Sequence, residues 1–124
     1  MQNRSSHARK TGGWGEGEAI RFLVTNGVKI IGRNIHTQFG EIDILGLDNE
    51  ILVFFEVKTR LSRKFGYPEI AVGKNKASHM VNSALDYLQN HPEVENEWRI
   101  DVVSITKYRD TPQEIKWFRN AITG

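Results

Sequence analysis

The chain contains no cysteine. That removes a disulfide scaffold, a thiolate zinc site and a cysteine nucleophile together. No apolar run approaches the ~20 residues that a membrane-spanning helix needs. The first eleven residues are polar and basic, without the apolar stretch of a secretory signal. A cytoplasmic protein with no membrane association is expected. No serine lies in a nucleophile elbow. The four histidines (His7, His36, His79, His91) are scattered, without zinc spacing, and read as surface or loop residues. The glycines near the start do not form a dinucleotide fingerprint either. Glu18 stands where the third glycine belongs, and no strand precedes them.

What remains is a soluble globular balance, 39% hydrophobic and 26% charged over 124 residues. That length suits one core. Residues 1–11 read as a disordered basic tail, and 12–124 as a single domain. The net charge of +2 is unevenly placed. Between Glu56 and Lys76 stand six basic residues (Lys58, Arg60, Arg63, Lys64, Lys74, Lys76) and two acids, Glu56 and Glu69. Such an excess beside an acidic pocket suits a polyanion that meets a metal. On charge alone, a solvated loop carrying lysines for solubility is the simpler explanation.

The stretch Ile51-Leu52-Val53-Phe54-Phe55-Glu56-Val57-Lys58 organises the rest. Its unbroken apolar run reads as a strand buried on both faces, with Phe54 and Phe55 in the core. Strand alternation puts Glu56 and Lys58 on one side, roughly 6–7 Å apart. Charges at the end of a buried strand are costly unless paired, metal-bound or functional. Upstream, Phe39–Leu47 reads as a strand with Ile42 and Ile44 on one face and Glu41, Asp43 and Leu45 on the other. The turn Leu47-Asp48-Asn49-Glu50 joins the two strands as a hairpin, which brings Asp43 near Glu56.

A first helix is expected from about Trp14 or Glu16 to Thr25, with Ala19, Ile20, Leu23 and Val24 as its apolar stripe and Asn26-Gly27 as its stop. Glu16 falls at the edge of that stripe; alone, it also suits the favourable N-terminal end of a helix dipole. Val28–Ile35 is a strand. Thr59–Gly73 is a long loop. A second helix spans about Lys74 to Asn90 with the stripe Ala77, Met80, Val81, Ala84, Leu85, Leu88, and His91-Pro92 stops it. Arg99–Thr106 and Glu114–Phe118 read as further strands. The order is helix, three strands, helix, strand or strands.

Two carboxylates close in space hold a hard cation such as Mg²⁺. Asp43, Glu56 and Lys58 are the residue types for metal-assisted phosphodiester hydrolysis, the lysine steering a water or offsetting phosphate charge. An ion pair of Glu56 with Lys58, and Asp43 as a plain hairpin residue, is the structural alternative.

The order Gly15-Glu16-x-x-Ala19, Leu23, Gly27, Arg33-Asn34, Gly40-Glu41-Ile42-Asp43, then Val53-Phe54-Phe55-Glu56-Val57-Lys58-Thr59-Arg60 resembles the YraN-like family. Phe65-Gly66-x-Pro68, Lys76 and Arg99-x-Asp101-Val102-Val103 continue the resemblance, which covers about Gly12 to Ile105. That family is similar to Holliday junction resolvases within the PD-(D/E)xK, restriction-endonuclease-like superfamily. The resemblance implies an α/β fold with a mixed central sheet flanked by helices, in the order αβββαβ. It implies Asp43 and Glu56 as ligands of Mg²⁺ or Mn²⁺, Lys58 as the water-positioning base, and Glu16 as the helix acid that joins them. Ile42 departs from the proline often found before the aspartate. The implied activity is endonuclease action on DNA, including branched DNA. Arg60, Arg63, Lys64, Lys74 and Lys76 are the expected nucleic-acid contacts, and a homodimer would suit symmetric strand cutting. A nucleic-acid-binding module with the same fold and little catalysis is the second functional reading; it predicts salt-sensitive binding without turnover.

Overall fold

A computed structural model describes residues 2–61 and 73–122, with side chains from residue 13 onward. The element order is α1 (Gln2–Thr25), β1 (Lys29–Thr37), β2 (Gly40–Asp48), β3 (Ile51–Arg60), α2 (Lys74–Asn90), β4 (Trp98–Thr106) and β5 (Glu114–Ile122). The five strands form one sheet in sequence order, β1 to β5. Neighbours are antiparallel except β3 and β4, which run parallel with α2 in the crossover between them. Parallel neighbours cannot be joined by a tight turn, so that crossover is required. The mixed sheet flanked by helices is thus present; the strand expected at Glu114–Phe118 runs on to Ile122 as β5, which makes the order αβββαββ where the resemblance implies αβββαβ. Helical backbone begins at Gln2, so α1 covers most of the segment that composition assigns to a tail. No described helix is long and apolar enough to cross a membrane.

β3 is central and buried on both faces, as its composition predicts. Val53 and Phe55 pack with Ala19 and Leu23 of α1. Leu52 and Phe54 pack on the opposite side with Ala84, and with Met80 and Leu88 of α2. Phe54 also meets Tyr87 and Trp98 edge-on, with ring centroids 5.8 Å away in each case. The helix stripes are narrower than the sequence suggests. Val24 and Leu85 are exposed, while Ser83 is buried. The sheet twist leaves each helix covering a limited width of the face, and these positions fall outside it.

The β2–β3 hairpin turns at Asn49, whose φ of 58° lies in the left-handed region that asparagine tolerates. Its last rung pairs Asp48 with Ile51. Asp101 of β4 is fully buried and accepts bonds from Arg99 Nε (3.0 and 3.1 Å), Trp117 Nε1 (2.8 Å) and the Asn120 N–H (2.7 Å). Arg99 also reaches Asp48 at 2.6 Å. The network ties β4 and β5 to the hairpin turn through Arg99, while Asp101 itself stands opposite Phe55, one rung from Glu56.

Candidate functional site

The site begins where the hairpin ladder ends. β2 and β3 pair rung by rung from Asp48↔Ile51 to Ile44↔Phe55. Beyond that rung the Val57 N–H donates to Asp43 Oδ2 at 2.9 Å, a side-chain bond in place of a backbone one. β3 stays paired to β4 as far as Arg60. On the far side of β2, Asn34 falls between the rungs Arg33↔Ile44 and Ile35↔Ile42, with φ 52°. This local distortion breaks the expected alternation. Ile42 belongs to the core on the α2 side and Ile44 to the core on the α1 side, so they do not share a face.

α1 supplies the next acid. A Cβ at Gly15 would collide with the Thr59 hydroxyl, so the helix lies directly on β3 at that point. Ala19 and Leu23, one and two turns on, are fully buried. Glu16 is carried into the sheet edge by this contact. Its carboxylate meets Arg33 Nη2 at 3.5 Å and is also hydrogen-bonded by Asn34. Carboxylate oxygens of Glu16, Glu41 and Asp43 lie within 4.8 Å of one another. Glu56 follows on β3, 3.2 Å from Lys76 Nζ.

Asp43 is the electrostatic centre. Burial pushes its carboxyl up to about 7, the negative charge of Glu56 adds to the rise, Glu16 adds less, and the Val57 N–H and Lys76 oppose it. Glu16 is also raised, chiefly by burial and against the pull of Arg33. Lys58 is lowered, by burial first and then by the charge of Arg60, with Glu56 opposing. These are the directions expected of like charges crowded into a partly dry site.

Of the residues expected in the site, Glu16, Asp43 and Glu56 converge, and Lys58 lies within electrostatic reach of Glu56. The grouping differs from the expected pair. The tight set around Asp43 is Glu16 and Glu41, while Glu56 leans toward Lys76. Arg60 ends β3, where its carbonyl accepts from the Lys107 N–H at 2.9 Å. Lys74 opens α2 and is exposed. Arg63 and Lys64, with the Phe65-Gly66-x-Pro68 stretch, lie outside the described residues. His36 approaches Glu41 at 3.5 Å from an exposed position on β1. Glu41 and Arg33 were not singled out as site residues. The usable signal for Glu41 was its place two residues before Asp43 on a strand.

The donor set suits a hard divalent cation. All the donors are carboxylate oxygens, and six-coordinate Mg²⁺ spaces its ligand oxygens about 3 to 4 Å apart. A mutual separation within 4.8 Å is therefore closed by small side-chain movements.

The profile described as "Uncharacterised protein family UPF0102" matches residues 15–105, which includes every one of these acids. The chain belongs to this family. It is 41% identical over 115 residues to a UPF0102 protein of Marinobacter nauticus, covering 93% of this chain and 94% of that one. It is 34% identical over 122 residues to a UPF0102 protein of Dichelobacter nodosus, covering 98% and 96%. A UPF0102 protein of Syntrophomonas wolfei is 43% identical over 97 residues, 78% of this chain and 84% of the relative. The UPF0102 match thus runs from the α1 acid to the end of β4.

Proposed function

We propose that this UPF0102 protein is a divalent-metal-dependent endonuclease that hydrolyses phosphodiester bonds in DNA, with branched or junction DNA as the preferred substrate class. The observation that carries the reading is the convergence of carboxylates from α1, β2 and β3 around Asp43, with Lys58 on the same strand as Glu56. The resemblance to Holliday junction resolvases and to the restriction-endonuclease-like fold supports the substrate class.

Asp43, with Glu56 and Glu16, would hold Mg²⁺ or Mn²⁺, and Glu41 lies close enough to join them. When bound, the cation polarises a phosphoryl oxygen and makes a water more acidic. Lys58 positions the attacking water. Its lowered pKa brings the amine nearer to the neutral form that could accept a proton, and its cationic form offsets charge on the phosphate. Arg60 at the end of β3, Lys76 beside Glu56 and Lys74 in the same first turn of α2 suit backbone phosphates. Arg63 and Lys64 extend this basic set in sequence. A homodimer would place two such sites on a symmetric junction.

One observation favours the second reading, a nucleic-acid-binding module with little catalysis. Glu56 and Glu16 are each already engaged by a basic side chain, Lys76 and Arg33. The deciding assay is Mg²⁺- or Mn²⁺-dependent cleavage of a four-way DNA junction and of a linear duplex. The wild type should cut the junction faster. Asp43→Ala and Glu56→Ala should each lose about a hundredfold or more with circular dichroism unchanged. Full activity in Asp43→Ala removes the assignment. Binding without cleavage in the wild type transfers it to the binding module.

A further inference from the structure

The two ion pairs at the acidic centre share an unusual asymmetry. The Glu56 side chain is 13% exposed and its partner Lys76 is 51% exposed. The Glu16 side chain is 14% exposed and its partner Arg33 is 47% exposed. In each pair the acid is largely buried and the base is a long, half-exposed side chain. Arg33 comes from β1, on one flank of the site. Lys76 comes from the first turn of α2, on the other.

We propose that Lys76 and Arg33 are exchangeable counter-ions. They neutralise Glu56 and Glu16 while no cation is present, and the entry of a divalent cation frees both to contact phosphates of a nucleic acid lying across the site. This rests on the proposed metal-dependent reading and assigns the flanking bases a role in it.

The exchange follows from charge and reach. A divalent ion carries twice the charge of an ammonium group and approaches a carboxylate oxygen to about 2.1 Å. Against the lysine at 3.2 Å, its attraction is about threefold greater under equal screening. Each base is held less strongly once its acid turns to the ion, because like charges then adjoin. Both bases are already half in water, so leaving the acid costs little desolvation. The freed charges sit on either side of the carboxylates, where a phosphate backbone attracted by the cation would run. Without the counter-ions the acidic cluster would repel that backbone; with them the site becomes attractive to it only when loaded.

The test uses binding and not turnover. Mn²⁺ affinity of the full chain is measured by calorimetry for wild type, Lys76→Ala, Lys76→Arg and Arg33→Ala, with Lys29→Ala as a control on the same surface but at the far end of β1. Lys76→Ala and Arg33→Ala should bind Mn²⁺ more tightly, by up to about fivefold. A labelled four-way junction is then titrated at several salt concentrations in Ca²⁺. In each alanine variant the logarithmic salt slope should fall by about one, Lys76→Arg should keep it, and Lys29→Ala should change neither quantity. Unchanged or weaker Mn²⁺ binding in Lys76→Ala overturns the exchange, and so does an unchanged salt slope. A wild type that takes up Mn²⁺ and binds the junction through Lys76 but never cuts it removes the nuclease reading and leaves the exchange in place.

Discussion

Asp43 and Asp101 are both acids inside the sheet, and their surroundings separate a structural carboxylate from one available for chemistry. Asp101 receives an arginine, an indole N–H and a backbone N–H, and is fully buried. Asp43 receives a backbone bond from Val57 and is surrounded by Glu16, Glu41 and Glu56. The first arrangement stabilises a charge, and the second resists one. Asp101→Ala would leave Trp117 Nε1 and the Asn120 N–H without their acceptor, and Arg99 with Asp48 alone. The loss should be about 3–5 kcal/mol, read as a lower denaturant midpoint at unchanged slope. Asp43→Asn should be neutral or stabilising in the cation-free protein, because it removes a charge the site disfavours. The opposite ranking of the two variants would mean that Asp43 is the structural acid.

At the scale of elements, α1 is placed by one contact. Gly15 lies so close to Thr59 that the helix cannot carry a side chain there, and Glu16 depends on that approach for its position. Gly15→Val should lift the first part of the described helix off β3. The expected cost is about 1–3 kcal/mol of overpacking, with a larger loss of Mn²⁺ affinity than Gly13→Val, where a side chain meets open space. Much at this scale was legible in the sequence. The unbroken apolar run before Glu56 announced a strand buried on both faces, and α2 was bounded by its stripe and by His91-Pro92. The hairpin that brings Asp43 to β3 followed from its turn residues. The distortion at Asn34 and Asp43 was not legible, because strict alternation has no sign of a left-handed residue on the neighbouring strand. That is why Ile42 and Ile44 were assigned to one face. The ion pairs of Glu16 and Glu56 were hidden for another reason: they join α1 to β1 and β3 to α2, contacts that only the packed sheet creates. Glu18 illustrates the limit from the other side. It stands two residues from Glu16 but turns away to Arg21 and Gln113.

For the whole molecule, the acidic centre makes stability depend on pH in a direction opposite to that of most salt-bridged acids. The Asp43 carboxyl titrates near 3.8 when unperturbed and about 7 in the fold. Between those values the folded chain holds a proton that the unfolded chain has released. Stability therefore falls as pH rises from about 4 to about 7. Glu16, raised for the same primary reason, acts in the same direction. The contribution of Asp43 is on the order of 4 kcal/mol, or about ten degrees in Tm for a domain of this size. A bound divalent cation reverses the balance, since it binds the ionised carboxylates and displaces the proton. Millimolar Mg²⁺ should therefore raise Tm more at pH 8 than at pH 5, following mass action on the folded state alone. Scanning calorimetry of the wild type and Asp43→Asn, with and without Mg²⁺ at both pH values, checks each step. The wild type should lose stability toward pH 8 without the cation and recover it with the cation. Asp43→Asn should show a flatter pH profile and a weaker response to Mg²⁺. A wild type whose Tm ignores Mg²⁺ at pH 8 would mean that the carboxylates are a structural cluster stabilised by Arg33 and Lys76, and the metal-dependent chemistry would fall with the site.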